Sequence, residues 1–401
     1  MSTPIPPAKS PPPDRVISLG NGLPVVPERL LLAHARGQVL FITGAGVSMP
    51  AGLPDFRKLV IDVYAKLDTS VHAVLSANKD APVGLDGLTS QQIAEVKRFE
   101  RKDYDVVLGM LERRIDDTPS VASRVRAAAA DVLRTAGSEP ARIHKALMRL
   151  ADRGAGTAIV TTNFDLLLQA GSPGNRRPQT YSLGGIPRPA RNKEFAGILH
   201  IHGALDRDVK RTSDLVLTDQ DFGEFYMRRR SVPDFIYDAA RLFHLVLVGY
   251  SADDPPMRYL LNAIAADGVR FDDLRERFTF VGSGTPDPVL IEDWKGRGMT
   301  PIAYDNKDGH KELLDLLERW VELSAVNGNP KKVDAEIRRI VKSPRSLAAE
   351  ADRDLFDHLI RRESTTERVK LSNLASKAGA DTGWLDAIAA IALERESEAS
   401  A

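Results

Sequence analysis

Apolar residues along this chain fall into two rhythms. Short continuous runs rich in Val, Ile and Leu stand at Gln38–Thr43, Thr157–Thr162, Gly197–Ile201, Leu215–Leu217, Leu242–Gly249, Arg277–Val281 and Thr300–Tyr304. Runs of this length bounded by Gly, Asp or Asn predict buried strands. Elsewhere apolar positions recur every three or four residues, at Pro27–Arg36, Gln91–Arg153, Pro255–Ala266 and His310–Glu322, and predict helices. Strands alternating with helices predict an α/β fold with a doubly wound parallel sheet. Residues 58–153 read as a mostly helical insertion after the first strand, and 328–401 as a separate helical C-terminal region. The first 24 residues open MSTPIPPAKSPPPDR, too proline-rich to fold alone, and are expected to be a disordered tail. That leaves 25–327 as the main domain.

Composition narrows the functions. Lys+Arg and Asp+Glu both total 55, so no bulk charge favours nucleic acid or an anionic membrane. The chain has no cysteine, which excludes disulfides, thiol catalysis and Cys-ligated zinc. Its most apolar run, Leu242–Tyr250, is about half the length that crosses a bilayer. A cytoplasmic protein is expected.

Candidate chemistry sits at the strand ends, where an open parallel sheet binds ligands. The first strand runs into FITGAGVSMPAGLPDFR, Phe41–Arg57. A Gly-Ala-Gly turn with free N–H groups suits phosphates. The stretch is not a Walker A loop, because no Lys occurs in it before Lys58. Nor is it the dehydrogenase fingerprint, which needs a third glycine where Met49 stands. Later strands end in TTNFDLLL (Thr161–Leu168), HIHG (His200–Gly203) and GYSADDP (Gly249–Pro255).

In this order the motifs resemble the sirtuin family of NAD-consuming enzymes, over roughly Val39–Leu317. The resemblance implies a Rossmann-like domain that binds NAD as substrate and cleaves its nicotinamide–ribose bond. It implies that Gly44, Ala45, Gly46 and Ser48 line the phosphates and adjoining ribose, and that Asp55, Phe56 and Arg57 belong to a loop closing over NAD. Thr162 joins the NAD contacts, and Asn163 and Asp165 hold the nicotinamide ribose and carboxamide side. His202 matches the catalytic histidine, and Gly249 and Ser251 the loop under the adenosine ribose. GSG at 282–284 and YDN at 304–306 match the remaining contacts only loosely.

The residue types suit that chemistry. Losing nicotinamide leaves an oxocarbenium-like sugar, which needs negative charge and dipoles nearby. A neutral His can take a proton from a ribose hydroxyl or water. Plainer roles stand beside these: Asn163 and Asp165 as an Asx turn and helix cap, His202 as a core histidine, Asp253 and Asp254 as a helix cap. Of the two histidines, His200 is taken to fit the core role better than His202.

Protein deacylases of the family generally carry a four-cysteine zinc module between the His-Gly and Gly-x-Ser strands. Here that interval has no cysteine, so no zinc is expected. The resemblance therefore points to the bacterial antiphage-defence effectors that hydrolyse NAD to nicotinamide and ADP-ribose. Such effectors carry or partner with sensors, a HerA-family ATPase among them. The helices from Pro330 are expected to hold a homo-oligomer together or to dock a sensor. Alternatives are a zinc-independent deacylase, an ADP-ribosyltransferase, or a catalytically silent scaffold binding NAD or ADP-ribose. KLSNLASKAGADTGWLDAI could read as a helix-turn-helix, but its second helix is acidic and apolar, so direct DNA binding is not expected.

Overall fold

The computed structural model describes residues 15–77, 84–116, 123–136, 139–154, 156–174, 177–189, 195–205, 215–251, 255–268, 273–285 and 287–400. In chain order the elements begin with β1 (Val16–Ser18), β2 (Val25–Pro27), α1 (Glu28–Ala35) and β3 (Val39–Thr43). Six helices follow: α2 (Phe56–Leu67), α3 (Thr69–Leu75), α4 (Ser90–Glu100), α5 (Tyr104–Ile115), α6 (Arg124–Ala136) and α7 (Arg142–Leu150). Next come β4 (Ala158–Thr161), α8 (Leu167–Ala170), β5 (Thr180–Tyr181), β6 (Gly197–His200), α9 (Asp219–Phe222), a π-helical turn (Gly223–Arg228) and α10 (Ser231–Leu242). The sheet is completed by β7 (His244–Val248), α11 (Pro255–Gly268), β8 (Arg277–Gly282), α12 (Pro288–Gly296) and β9 (Thr300–Tyr304). Helices α13 (Lys307–Leu323), α14 (Pro330–Ile340), α15 (Glu350–Arg361), α16 (Thr365–Lys377) and α17 (Thr382–Ser400) end the chain.

These elements divide into two compact units, one of Gln38–Val321 and one made of the chain up to Gly37 and from Glu322 on. The larger unit holds a seven-stranded sheet in the order β5-β6-β4-β3-β7-β8-β9, every pair parallel. All five residues of β3, Val-Leu-Phe-Ile-Thr, are buried, as expected of a strand covered on both faces. The chain leaves β3 toward β4 on one side and later returns to β7 on the other, so a switch point lies beside β3. Register puts Thr43 opposite both Thr161 and Val248, and Thr161 opposite His200. Four strand ends thus stand in one row. On one face Leu40, Ile42, Val160 and Leu199 pack with Ala239 and Ala240 of α10 and Ile264 of α11. The insertion helices build a second core around Val60, Val63, Leu108, Leu111 and Ala129.

Three short features depart from the sequence reading. Leu215–Leu217 is buried but is not a strand; the Val216 N–H donates to the carbonyl of His202 (2.8 Å), so the run pairs with a loop instead of joining the sheet. Thr180–Tyr181 adds a two-residue edge strand, too short to show as a pattern. Val16–Ser18, inside the stretch expected to be tail, pairs antiparallel with Val25–Pro27.

The smaller unit joins the two ends of the described chain. Glu28 of α1, only 4 % exposed, accepts from Arg361 Nη1 (2.7 Å) and His358 Nδ1 (3.3 Å) of α15. Burial pushes the Glu28 carboxyl up, but the His358 hydrogen bond and the Arg361 charge hold it below its ordinary value. Trp384 is fully buried against Phe356, 4.6 Å between ring centres, and its indole N–H donates to the Ser343 carbonyl (2.9 Å).

Candidate functional site

The row of strand ends carries two loops that interlock through glycine. After β3, Gly44 donates to the Val248 carbonyl (3.1 Å) and Gly46 to that of Gly249 (2.9 Å), while Val47 and Ser48 donate back to Gly44 and Ala45. A Cβ on Gly44 would stand 2.6 Å from Tyr250 Cδ2 and 2.7 Å from the Gly249 oxygen. Gly249 has φ +61°, and a Cβ there would meet the Val47 nitrogen at 2.7 Å. The glycines therefore let the loops after β3 and β7 touch. This corrects the expectation of free N–H groups at four positions of the turn. Those of Gly44, Gly46, Val47 and Ser48 are taken, because each carbonyl they meet also needed a partner.

Ser48 is the hub of the site. It is 3 % exposed, and its Oγ accepts from Asn163 Nδ2 (2.9 Å) and donates to Asp165 Oδ2 (2.8 Å). The third partner is His144 Nε2 at 3.3 Å, from α7 of the insertion. His144 Nδ1 accepts the Ala141 N–H (3.1 Å), so the neutral ring carries its proton on Nε2 and donates to Ser48. Burial lowers the His144 pKa, against the pull of the Asp165 charge. Sequence reasoning missed this residue. EPARIHKAL reads as an amphipathic helix, and nothing in that pattern marks one histidine as facing a strand end.

Asn163 is fixed on every side. Its N–H donates to Thr161 Oγ1 (3.0 Å), its carbonyl accepts from His200 Nδ1 (2.8 Å), and its Nδ2 reaches the Gly44 carbonyl (3.0 Å) as well as Ser48. Both amide hydrogens are used, which leaves Oδ1 as the side-chain atom to offer a ligand. Asp165 Oδ1 accepts the Leu167 N–H (2.9 Å), an Asx turn leading into α8, so the turn and the Ser48 bond coexist on one carboxylate. His200 is fully buried, and its Nε2 accepts from Gln169 Nε2 (2.7 Å). Burial lowers its pKa, and the neutral ring braces the Asn163 turn.

His202 is held by a different set of partners. Its Nε2 lies 2.7 Å from the hydroxyl of Tyr226, and its ring meets Phe222 edge-on at 5.4 Å. Burial pulls its pKa down to about 3. The backbone nevertheless runs beside the Asn163 loop, for Ile201 donates to the Thr161 carbonyl (2.9 Å) and Leu205 to that of Phe164 (2.7 Å).

Residues 157–302, which hold Asn163, Asp165, His202 and Gly249, match the model of the SIR2-like domain. An uncharacterized protein of Sinorhizobium fredii, y4cA, is 32% identical over 363 residues, 84% of this chain and 28% of that protein. The chain thus spans little more than a quarter of that relative's length. Among solved structures, one described as the structural basis for the mechanism and regulation of Sir2 enzymes is 14% identical, with a TM-score of 0.35. It covers 73% of this chain and 96% of its own. A mutant Sir2 homologue in complex with ADP ribose is 16% identical with a TM-score of 0.31, again covering 73% and 96%.

The remaining expected contacts lie around the sheet edge and the insertion. Thr162 sends both its N–H (3.0 Å) and its hydroxyl (3.3 Å) to the Thr43 carbonyl, tying β4 to β3. Asp55 caps α2 by accepting the Lys58 N–H (2.7 Å). Phe56 meets Tyr104 edge-on at 6.1 Å, and exposed Arg57 lies over Phe99 at 5.3 Å. These three dock on the insertion and are not bonded to the Ser48 cluster. Ser251 is exposed, its carbonyl 3.5 Å from Arg297 Nη1, and Asp253 and Asp254 lie outside the described residues. At the far edge Gly282 faces Tyr304, whose hydroxyl would sit 2.7 Å from a Cβ there and which bonds His310 Nδ1 (2.8 Å). Among the described residues no cluster of His, Asp and Glu could hold a metal ion, and no helix is long and apolar enough to cross a membrane.

Proposed function

We propose that this chain hydrolyses NAD to nicotinamide and ADP-ribose. The observation that carries the reading is the Ser48–Asn163–Asp165 cluster at the ends of β3 and β4, with Asn163 and Asp165 inside the stretch that matches the SIR2-like domain, in a chain without cysteine. Breaking the C1′–N bond releases neutral nicotinamide and leaves positive charge on the ribose. Asn163 offers that charge the negative end of an amide whose two hydrogens are already held. Asp165 adds a carboxylate fixed by Ser48 and the Leu167 N–H. Water then closes the sugar, losing its proton to His202, which burial keeps neutral at pH 7.

In this reading NAD is the substrate and no zinc takes part, since the interval from Ala204 to His244 has no thiolate to bind one. We assign the protein to bacterial antiphage defence, as a cytoplasmic effector that depletes NAD. It works as a homo-oligomer with a separate sensor such as a HerA-family ATPase. The test is the product set from NAD, with and without an acyl-lysine peptide. Nicotinamide and free ADP-ribose without peptide support the reading. Nicotinamide release only with the peptide, accompanied by its deacylation, would replace it with a zinc-independent deacylase. ADP-ribose found on protein would replace it with a transferase.

A further inference from the structure

The segment that returns from the His-Gly pair toward β7 closes on one side chain. Tyr226 is 2 % exposed, and its hydroxyl is 2.7 Å from His202 Nε2. Phe222 and Tyr226, four residues apart, both face the imidazole and pack on each other, 5.5 Å between ring centres. Tyr226 lies on the π-helical turn Gly223–Arg228. Such turns are rare and are frequently found at functional sites. A phenol O–H is the better donor and a neutral imidazole nitrogen the better acceptor, so Tyr226 donates to Nε2 and the ring proton sits on Nδ1. The lone pair that would take a proton from a hydroxyl or water is then occupied.

The segment is clamped from the insertion. Arg126 of α6, 8 % exposed, grips both carboxylate oxygens of Asp221 (2.7 and 2.8 Å), Glu112 of α5 (3.1 Å) and the Leu215 carbonyl. Asp221 in turn accepts the N–H groups of Leu217 (3.0 Å) and Thr218 (2.9 Å). One buried guanidinium therefore joins two insertion helices to the segment that carries Tyr226.

We propose that Tyr226 is a removable cap on His202. While Arg126 holds residues 215–228 in place the base is withheld, and withdrawal of Tyr226 makes it competent. The proposal rests on the NAD-hydrolase reading and adds its regulation.

The test uses the full chain. Tyr226→Phe keeps the ring and its packing and removes the donor. Nicotinamide release should rise about tenfold or more, within what a freed general base can supply, with NAD affinity unchanged. The 15N shifts of the His202 ring should move to those of a free Nε2. Arg126→Gln, which touches neither ring, should raise release in the same direction. Release by Tyr226→Phe at or below the wild-type rate overturns the cap. His202→Ala separates the two claims. If it is inactive and Tyr226→Phe shows no gain, hydrolysis by His202 stands and the cap is overturned. If it turns over like wild type, His202 is not the base, and the cap falls with that role.

Discussion

Ser48 and Asp165, 117 residues apart in sequence, share a hydrogen bond of 2.8 Å that ties the loop after β3 to the carboxylate after β4. His144 and Asn163 complete the hydroxyl's partners. Ser48→Ala would leave Asp165 Oδ2, His144 Nε2–H and one Asn163 amide hydrogen without that partner. A buried group stripped of its partner costs about 1–3 kcal/mol, so the variant should unfold at clearly lower urea. Ser48→Ala with an unchanged urea midpoint would show that the hub holds nothing.

Asn163→Ala and His202→Ala should each slow NAD turnover by roughly two to four orders of magnitude, the range of a lost electrostatic or acid–base group. They should differ in stability, because only Asn163 also binds the Gly44 carbonyl. His200→Ala is the contrast. Its ring braces the Asn163 carbonyl, so stability should fall by about 1–3 kcal/mol through the loss of that brace. Steady-state kinetics beside urea melts on the three variants distinguishes chemistry from bracing.

Gly44→Ala forces a methyl to within 2.6 Å of Tyr250 and 2.7 Å of the Gly249 carbonyl. Overpacking of this kind costs about 1–3 kcal/mol, and here it also parts two strand-end loops. NAD affinity, read by calorimetry, should weaken along with the melting temperature. Loss of stability with full affinity would separate this contact from the ligand site.

Much of this site was legible because strand ends are. Thr161, His200 and Val248 line up with Thr43 since each ends a run of apolar residues, and such runs are visible in sequence. What the chain does with its polar atoms was not. The motif at Gly44–Ser48 marked a loop at a strand end but not that the N–H groups of Gly44 and Gly46 are engaged by Val248 and Gly249, about 200 residues later. His144 and Tyr226 sit on helical patterns that any amphipathic helix shows, and their partners are set by tertiary packing. The strands at Val16–Ser18 and Thr180–Tyr181 are shorter than any period can mark.

Acid should weaken the fold in a stated direction. Burial lowers the pKa of His144, His200, His202 and His358, to about 3 for His202. A histidine with a lowered folded pKa binds fewer protons folded than unfolded. Its contribution is therefore present above the unfolded value near 6.5 and is lost as pH falls from there toward the folded value. Each group adds a slope of up to about 1.4 kcal/mol per pH unit. Urea midpoints from pH 7 to 4.5 should fall steadily, and a flat profile would contradict the buried neutral rings.

Deleting residues 331–401 removes His358 and Arg361 from Glu28. A buried carboxylate left alone is strongly destabilising, by about 3–5 kcal/mol for such a broken pair. Limited proteolysis should then cut within 15–37 before it cuts within 38–321. Unchanged resistance in 15–37 would show that the N-terminal segment stands without its partners.

The Glu28–His358 contact spans 330 residues, which sets an order of events on the ribosome. When Glu28 leaves the exit tunnel its partners have not been made. At about 5–20 residues per second they follow roughly 15–70 s later. For that interval Ile17, Val26, Leu30 and Leu31, all buried in the finished protein, face the cell's chaperones with no α15 to cover them. The sheet from Val39 to Tyr304 is synthesised in the meantime. Residues 17–31 are thus made well before the helix that encloses them, and a nascent chain released before α15 is made would carry an open apolar segment.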